Sequence, residues 1–321
     1  RSRGLGDVYK RQVIPILLLL FALGCACPSA TPSPTPSSKP LPTASPEHAI
    51  QLARKFCPII YLKGDGDAVE NFEPEQIEIM VDEAFLRDTK DPAFSEKATL
   101  RSLLRWSQSV YYLDLVGLGP TTHSLDEYKY NYDRVKGQYQ PTLYARVGEG
   151  GGKGYTVVQY WIFYYFNDWR NFHEGDWELV QLNFPGYSAK ELLENNEQPI
   201  FAAYSQHQAG QKYSWSDMKN NGLVSGTHPV VYVAQGSHAN YFAPGNFWSG
   251  LDFDDTGLSS WQVIRPEHFK IVLLPEIEAG GGGLEWLVFK GYWGEYLGFS
   301  ISVLGLTFWQ HGPFGPPWGE G

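Results

Sequence analysis

Asn167 to Glu178 reads Asn-Asp-Trp-Arg-Asn-Phe-His-Glu-Gly-Asp-Trp-Glu, a dense polar run between two apolar stretches. The second stretch alternates as a strand does. Asp176, Glu178, Val180, Leu182 and Phe184 therefore share one face, and Trp177, Leu179, Gln181 and Asn183 the other. Two acids thus extend an apolar stripe, where unpaired carboxylates are costly and a cation or an arginine is the usual resolution. His173 stands three residues before Asp176, close enough for a turn to aim its imidazole at the same point. One nitrogen and two carboxylates suit a divalent ion. Oxygen-rich ligation favours Ca²⁺ or Mg²⁺ and admits Mn²⁺, or Zn²⁺ if a second histidine joins. His207 in Tyr-Ser-Gln-His and His238 in Gly-Ser-His-Ala-Asn-Tyr, each at a strand end, are the further candidates. The competing reading pairs the acids with Arg170 or Arg146 and leaves His173 capping a turn. A zinc-protease helix is excluded, because the residue four after His173 is Trp177.

Ser205 and Ser237 beside His207 and His238 invite a serine-hydrolase reading, but neighbours in a strand face opposite ways and no Gly-x-Ser-x-Gly elbow is present. A water activated by a metal at His173, Asp176, Glu178 and His238 is the better enzymatic alternative. Trp169, Trp215 and Trp248 sit among polar loop residues and are the candidate ligand-binding aromatics, whereas most other tryptophans belong in a β-protein's core. Asp252, Asp254 and Asp255 lack the spacing of a calcium loop and read as a solvated acidic turn. The glycine-rich run 148–154 lacks the residues of a phosphate loop and reads as a hairpin connection.

The segments Tyr-Trp-Ile-Phe-Tyr-Tyr-Phe-Asn-Asp-Trp, His-Glu-Gly-Asp-Trp-Glu, Tyr-Ser-Gln-His, His228-Pro-Val-Val-Tyr-Val-Ala-Gln-Gly-Ser-His-Ala-Asn-Tyr-Phe and Gly291-Tyr-Trp-Gly resemble the Vps62-related family from roughly Pro58 to Pro317. That resemblance supplies no settled activity. More distantly, His173-x-x-Asp176-Trp-Glu178 is similar to the His-Arg-His-Asp-Trp-Glu core of necrosis- and ethylene-inducing-like proteins, secreted β-sandwich cytolysins that use a divalent cation to engage a sphingolipid sugar head group. The likeness implies that His173, Asp176 and Glu178 are metal-site residues, with Asp168 in place of the acid preceding that core. This chain departs from the pattern at Gly175, where the cytolysin core has its second histidine.

These residues need a scaffold that holds strand ends together. In 321 residues, aromatics make up 15% and charged residues 19%, with 34 glycines and 22 prolines, which favours many short strands joined by turns. The fold class expected is mainly β, a single-domain two-layer sandwich over 47–321 with a few short peripheral helices. Ser45-Pro46-Glu47 starts a helix that ends at Cys57-Pro58, Ser95 to Trp106 carries helical spacing, and Ser188-Ala-Lys-Glu191 is a capping box. Strand candidates are Pro58–Leu62, Pro141–Val147, Tyr155–Phe166, Asp176–Phe184, Pro199–His207, Pro229–Gln235, Phe269–Leu274 and Phe299–Phe308. Tyr155–Phe166 is apolar almost throughout, so both its faces should be covered.

A formal net charge of −10 argues against a nucleic-acid partner. The first twelve residues contain no methionine and read as a non-native leader. The eleven apolar residues Val13 to Leu23 are too few to span a bilayer and read as a signal-peptide core, closing the leader region 1–27. Ala-Leu-Gly-Cys25 resembles the lipobox of bacterial lipoproteins, and the Pro/Ser/Thr-rich stretch 28–46 reads as an extended tether. The expectation is an exported cell-surface or periplasmic lipoprotein, or a secreted protein, held to the membrane by a lipid anchor. It would bind a glycan or lipid head group through a divalent cation. The alternatives are a metal-dependent hydrolase of an ester or phosphodiester and a structural surface protein with a stabilising ion.

Overall fold

The computed structural model describes residues 45–64, 66, 69–115, 125–150, 154–169, 172–207, 209–248, 253–275, 284–295, 302–303, 306–307 and 312–316. The expected signal segment, Cys25 and nearly all of the tether lie outside these residues, as do Arg170, Asp252 and most of Phe299–Phe308. The first helix, Pro46–Lys55, begins where expected, with the Ser45 side chain accepting from His48 N and Pro46 at its first position. Its inward face is Ala49, Leu52 and Ala53.

The strands in chain order are β1 (Ile59–Lys63), β2 (Phe85–Asp88), β3 (Ser95–Lys97), β4 (Tyr111–Asp114), β5 (Thr142–Glu149), β6 (Tyr155–Asn167), β7 (His173–Pro185), β8 (Phe201–Gln206), β9 (Ala209–Ser214), β10 (Val224–Ser225), β11 (His228–Val233), β12 (Asn240–Tyr241), β13 (Asn246–Trp248), β14 (Phe253–Asp255), β15 (Trp261–Ile264) and β16 (Lys270–Leu273). The central sheet runs β16-β5-β6-β7-β8-β9, antiparallel from β5 to β9 with β16 parallel to β5. A second sheet runs β10-β11-β1-β15, with β12 on β11, and a third runs β3-β2-β4. The glycine-rich run joins β5 to β6 as the expected hairpin, with Glu149 opposite Thr156.

Mainly β is thus correct, but the two-layer expectation is revised, because the central sheet is covered on both faces. One core lies between it and the second sheet, joining Ile60, Leu62, Val231 and Val233 to Val158, Tyr160, Val180 and Leu182. The other lies under the third sheet and the helix Leu125–Val135, joining Leu86, Leu113, Tyr128 and Tyr132 to Trp161, Phe163 and Trp177. This double cover is why β6 is apolar along its whole length.

Two helical expectations need correction. Ser95 to Trp106 is not one helix: Ser95–Lys97 pairs with β2 and only Leu100–Arg105 is helical, capped by Thr99. Trp215 is not a loop residue, since it opens the helix Trp215–Asn220 and packs edge-on against Phe56 at 6.2 Å in the first core. Its ring is therefore unavailable to a ligand. Ser214-Trp-Ser-Asp217 carried the signal, a serine cap with an acid three residues on, and Ser214 Oγ accepts from Asp217 N at 3.1 Å. The helix Leu125–Val135 was also unexpected, because its buried face is mostly aromatic, with Tyr128 and Tyr132 beside Val135. Among the described residues no helix is long and apolar enough to cross a membrane.

Candidate functional site

Period-2 alternation alone would put His173 on the face opposite Asp176. Gly175 breaks the alternation with a φ of 60°. As a result Glu174 turns into the second core, where its carboxylate accepts from Tyr128 Oη at 2.8 Å and Leu115 N at 3.1 Å. His173 returns to the vicinity of Asp176. His173 Nδ1 donates to Gly175 O at 2.7 Å, and because a carbonyl only accepts, the neutral ring presents Nε2 as a lone pair. No other residue fits at 175, since a Cβ there would stand 2.1 Å from Trp293 O.

Asp176 is buried and well bonded. Its Oδ1 accepts from Trp177 N at 3.0 Å, and its Oδ2 accepts from Asn167 Nδ2 at 2.9 Å and His238 Nδ1 at 2.9 Å. His238 is fully buried, lies flat on Tyr164 at 3.9 Å between ring centroids, and has Nε2 3.5 Å from Glu70 Oε1. Burial disfavours its cation, but Glu70 and Asp176 outweigh burial and push its pKa up to about 9. Hydrogen bonds from His238 and Asn167 and the nearby imidazoles hold Asp176 below the usual carboxylate range despite its burial. The centre is an imidazolium clasped between two carboxylates.

Parallel pairing of β1 with β11 brings Glu70 here, because parallel strands emit their following loops at the same sheet edge. Glu70 Oε1 accepts from Asn71 N and Phe72 N, each at 2.8 Å, and Oε2 from Gly236 N at 2.7 Å. Asp168 is tied to the same loop through its amide, which donates to Gly236 O at 2.9 Å. Burial and the charge of Glu70 push its carboxyl up to about 6, with His238 pulling the other way.

The remaining sequence candidates form a second cluster. His207 Nε2 donates to Asp254 Oδ2 at 2.7 Å, and Asp254, fully buried, also accepts from Ser237 Oγ at 2.7 Å and Tyr241 Oη at 2.6 Å. The acidic turn is thus not solvated: Asp254 anchors the β13–β14 hairpin, and Asp255 pairs with buried Lys63 at 2.6 Å. Trp169 lies against His207 at 4.6 Å, and Trp248 is 64% exposed, edge-on to Phe253 at 5.1 Å. Ser237 and His207 share one carboxylate instead of bonding each other, and Ser205 Oγ donates to Glu178, so neither serine has a histidine base.

The structure therefore brings together His173, Asp176 and His238, with Asp168 beside them. It places Glu178 with Ser205, and His207 with Trp169 on Asp254. Sequence reasoning missed Glu70, Asn167, Tyr164 and Asp254 as site residues. Among the described residues, no group of three or more His, Cys, Asp or Glu side chains is arranged to hold a metal ion. Asp176 is engaged by His238 and Asn167, and Glu178 accepts from Ser205.

No family model matches the chain. The Saccharomyces cerevisiae protein TDA6, which carries a vacuolar protein sorting name, is 25% identical over 74% of this chain and 59% of its own length. Vacuolar protein sorting-associated protein 62 of the same yeast is 28% identical over 45% of this chain and 35% of its own. The chain thus spans under two thirds of either relative. Similar solved structures include Necrosis and Ethylene inducing Protein 2 from the agent of cocoa's witches' broom disease, at 16% identity, covering 61% of this chain and 64% of that one, with a TM-score of 0.30. Another is NLPPya in complex with mannosamine, at 14% identity, covering 68% and 76%, with a TM-score of 0.32. Likeness at these scores bears on neither the site nor the ligand of this chain. By sequence, the chain resembles Vps62-related proteins.

Proposed function

We propose that this chain binds a glycan or lipid head group through a divalent cation taken up beside His173, Asp176 and Asp168. The observation that carries the reading is an excess of carboxylates over cations among the described residues. Glu70, Asp168 and Asp176 face one buried imidazolium, His238, and the mutual repulsion is felt at Asp168. The residue types suit a hard ion, though not in their present arrangement: two carboxylates and His173 Nε2, whose ring is oriented by Gly175 O. Uptake requires Asp168 to turn inward. When bound, the ion would offer open positions to sugar hydroxyls or a phosphate, and Trp248 is an exposed aromatic that such a ligand could use.

Melting the protein with Ca²⁺, Mg²⁺, Mn²⁺ or Zn²⁺, and with EDTA, tests the ion. A ligand at about 100 times its dissociation constant adds roughly 2.7 kcal/mol. Asp168→Asn should abolish the cation response without lowering metal-free stability, whereas Asp133→Asn, on a surface pair with Lys136, should leave the response intact. No shift with any of the four ions sinks the reading. With the ion established, glycan arrays and phosphatidylcholine vesicles separate sugar from lipid head group, and Trp248→Ala should weaken whichever binds.

We further propose export and lipid anchoring at Cys25, supported by the apolar run Val13 to Leu23 and the tether after it. In cell fractionation, Cys25→Ala should shift the protein from membrane to soluble fractions and leave the precursor uncleaved. Unchanged processing and membrane association contradict the anchor.

A further inference from the structure

The strap Glu70–Ile77 leaves the candidate site and reaches the opposite core, where its far end meets the helix Leu125–Val135. Glu75 N donates to Phe163 O at 2.9 Å, fastening the strap along β6. Tyr132 of the helix is fully buried. Its hydroxyl donates to Glu75 Oε1 at 2.9 Å and accepts from Glu73 N at 3.1 Å, and its ring stands edge-on to Phe72 at 5.2 Å. The other carboxyl oxygen, Glu75 Oε2, is buried with no hydrogen-bond partner among the described residues. One phenolic donor is poor support for a buried carboxylate, while a neutral carboxyl needs far less.

The geometry points to a proton-controlled latch, in which the Glu75 carboxyl, buried against Tyr132, holds the strap Glu70–Ile77 to the helix Leu125–Val135 while it is neutral, and the cost of burying its charged form loosens the strap. The groups facing Glu75 come from several elements: Tyr132 on the helix, Lys136 on the turn after it, Glu73 and the Gln76 N–H on the strap, and Tyr144 on β5. Lys136 is engaged by Asp133 at 2.8 Å and lies 5.0 Å over the Tyr132 ring, so it offsets only part of the cost. Burial is the largest cause and, with the charge of Glu73, raises the Glu75 carboxyl from 4.5 to about 7 against the Tyr132 hydrogen bond. A released strap regains the ordinary value. The latched state therefore holds the extra proton between these two values: the latch is tightest below the window and weakens as pH rises through it.

Glu174, bonded to Tyr128 of the same helix, is also raised, to about 8, so the test must single out Glu75. Hydrogen exchange of the full chain is followed by mass spectrometry at about pH 5.5 and about pH 8, with times scaled for intrinsic exchange. Protection of peptides covering 70–77 and 125–135 should fall roughly tenfold or more at the higher pH in the wild type. Glu75→Gln, neutral at both, should keep the high protection over 70–77, while 125–135 still answers to Glu174. Tyr132→Phe, which removes the one donor supporting the charged form, should lower protection at both pH values and keep the fall. A wild type without the fall overturns the latch, as does Glu75→Gln that follows the wild type over 70–77. Should Glu75→Gln fail to fold, Tyr132→Phe with wild-type protection at both pH values overturns it equally. No ligand enters the measurement, so its outcome is independent of the cation reading.

Discussion

His238→Ala is expected to destabilise the fold by about 3–5 kcal/mol, the cost of leaving buried charges without their partner. The ring is fully buried, its Nδ1 holds Asp176 at 2.9 Å, and its loss removes the cation between Asp176 and Glu70. The pH dependence has a definite sign. The imidazole pKa is raised from 6.5 to about 9 in the fold, so its stabilisation is complete below the lower value and disappears as pH rises through the upper. The stability gap between wild type and His238→Ala, measured by urea unfolding across this range, should therefore be widest near pH 6 and narrow toward the upper value. A gap that stays constant would mean that His238 acts by packing on Tyr164 and not by charge.

Gly175→Ala is expected to cost about 2–4 kcal/mol, combining the left-handed backbone with a Cβ facing Trp293 O at 2.1 Å. Gly175→His, which writes in the histidine of the cytolysin-like core, should fare worse. Calorimetry of the two variants checks this, and a melting temperature within a degree or two of wild type would show that the β7 backbone can shift away from Trp293. The same glycine is what returns His173 to Asp176. The substitution should therefore also weaken any cation response, even in the fraction that folds.

Much of the scaffold was legible because it rests on local rules. The Ser45 and Ser188 caps and the β5–β6 and β6–β7 pairs follow from capping residues, alternation and turn glycines. That His173 lies near Asp176 depends on a broken alternation at Gly175 and not on the turn that the spacing suggested. Glu70 and Asp254 were out of reach. Glu70 arrives through a parallel pairing of strands far apart in the chain, and Asp254 is buried because a hairpin folds back onto Ser237, Tyr241 and His207. Neither circumstance leaves a periodicity to read.

The pairing of Ile59–Lys63 with His228–Val233 also constrains how the molecule is made. The early strand has no neighbour until residue 233 has been synthesised, and its antiparallel partner Trp261–Ile264 comes later still. At about 5–20 residues per second, Ile-Ile-Tyr-Leu would wait roughly 10–30 s as an unpaired apolar edge. Meanwhile the β5–β9 meander, built from neighbours in the chain, can already form. Assembly should thus start from the β5–β9 meander, with Ile59–Lys63 docking only once its later partners exist, and a holding chaperone would be needed most by that waiting strand.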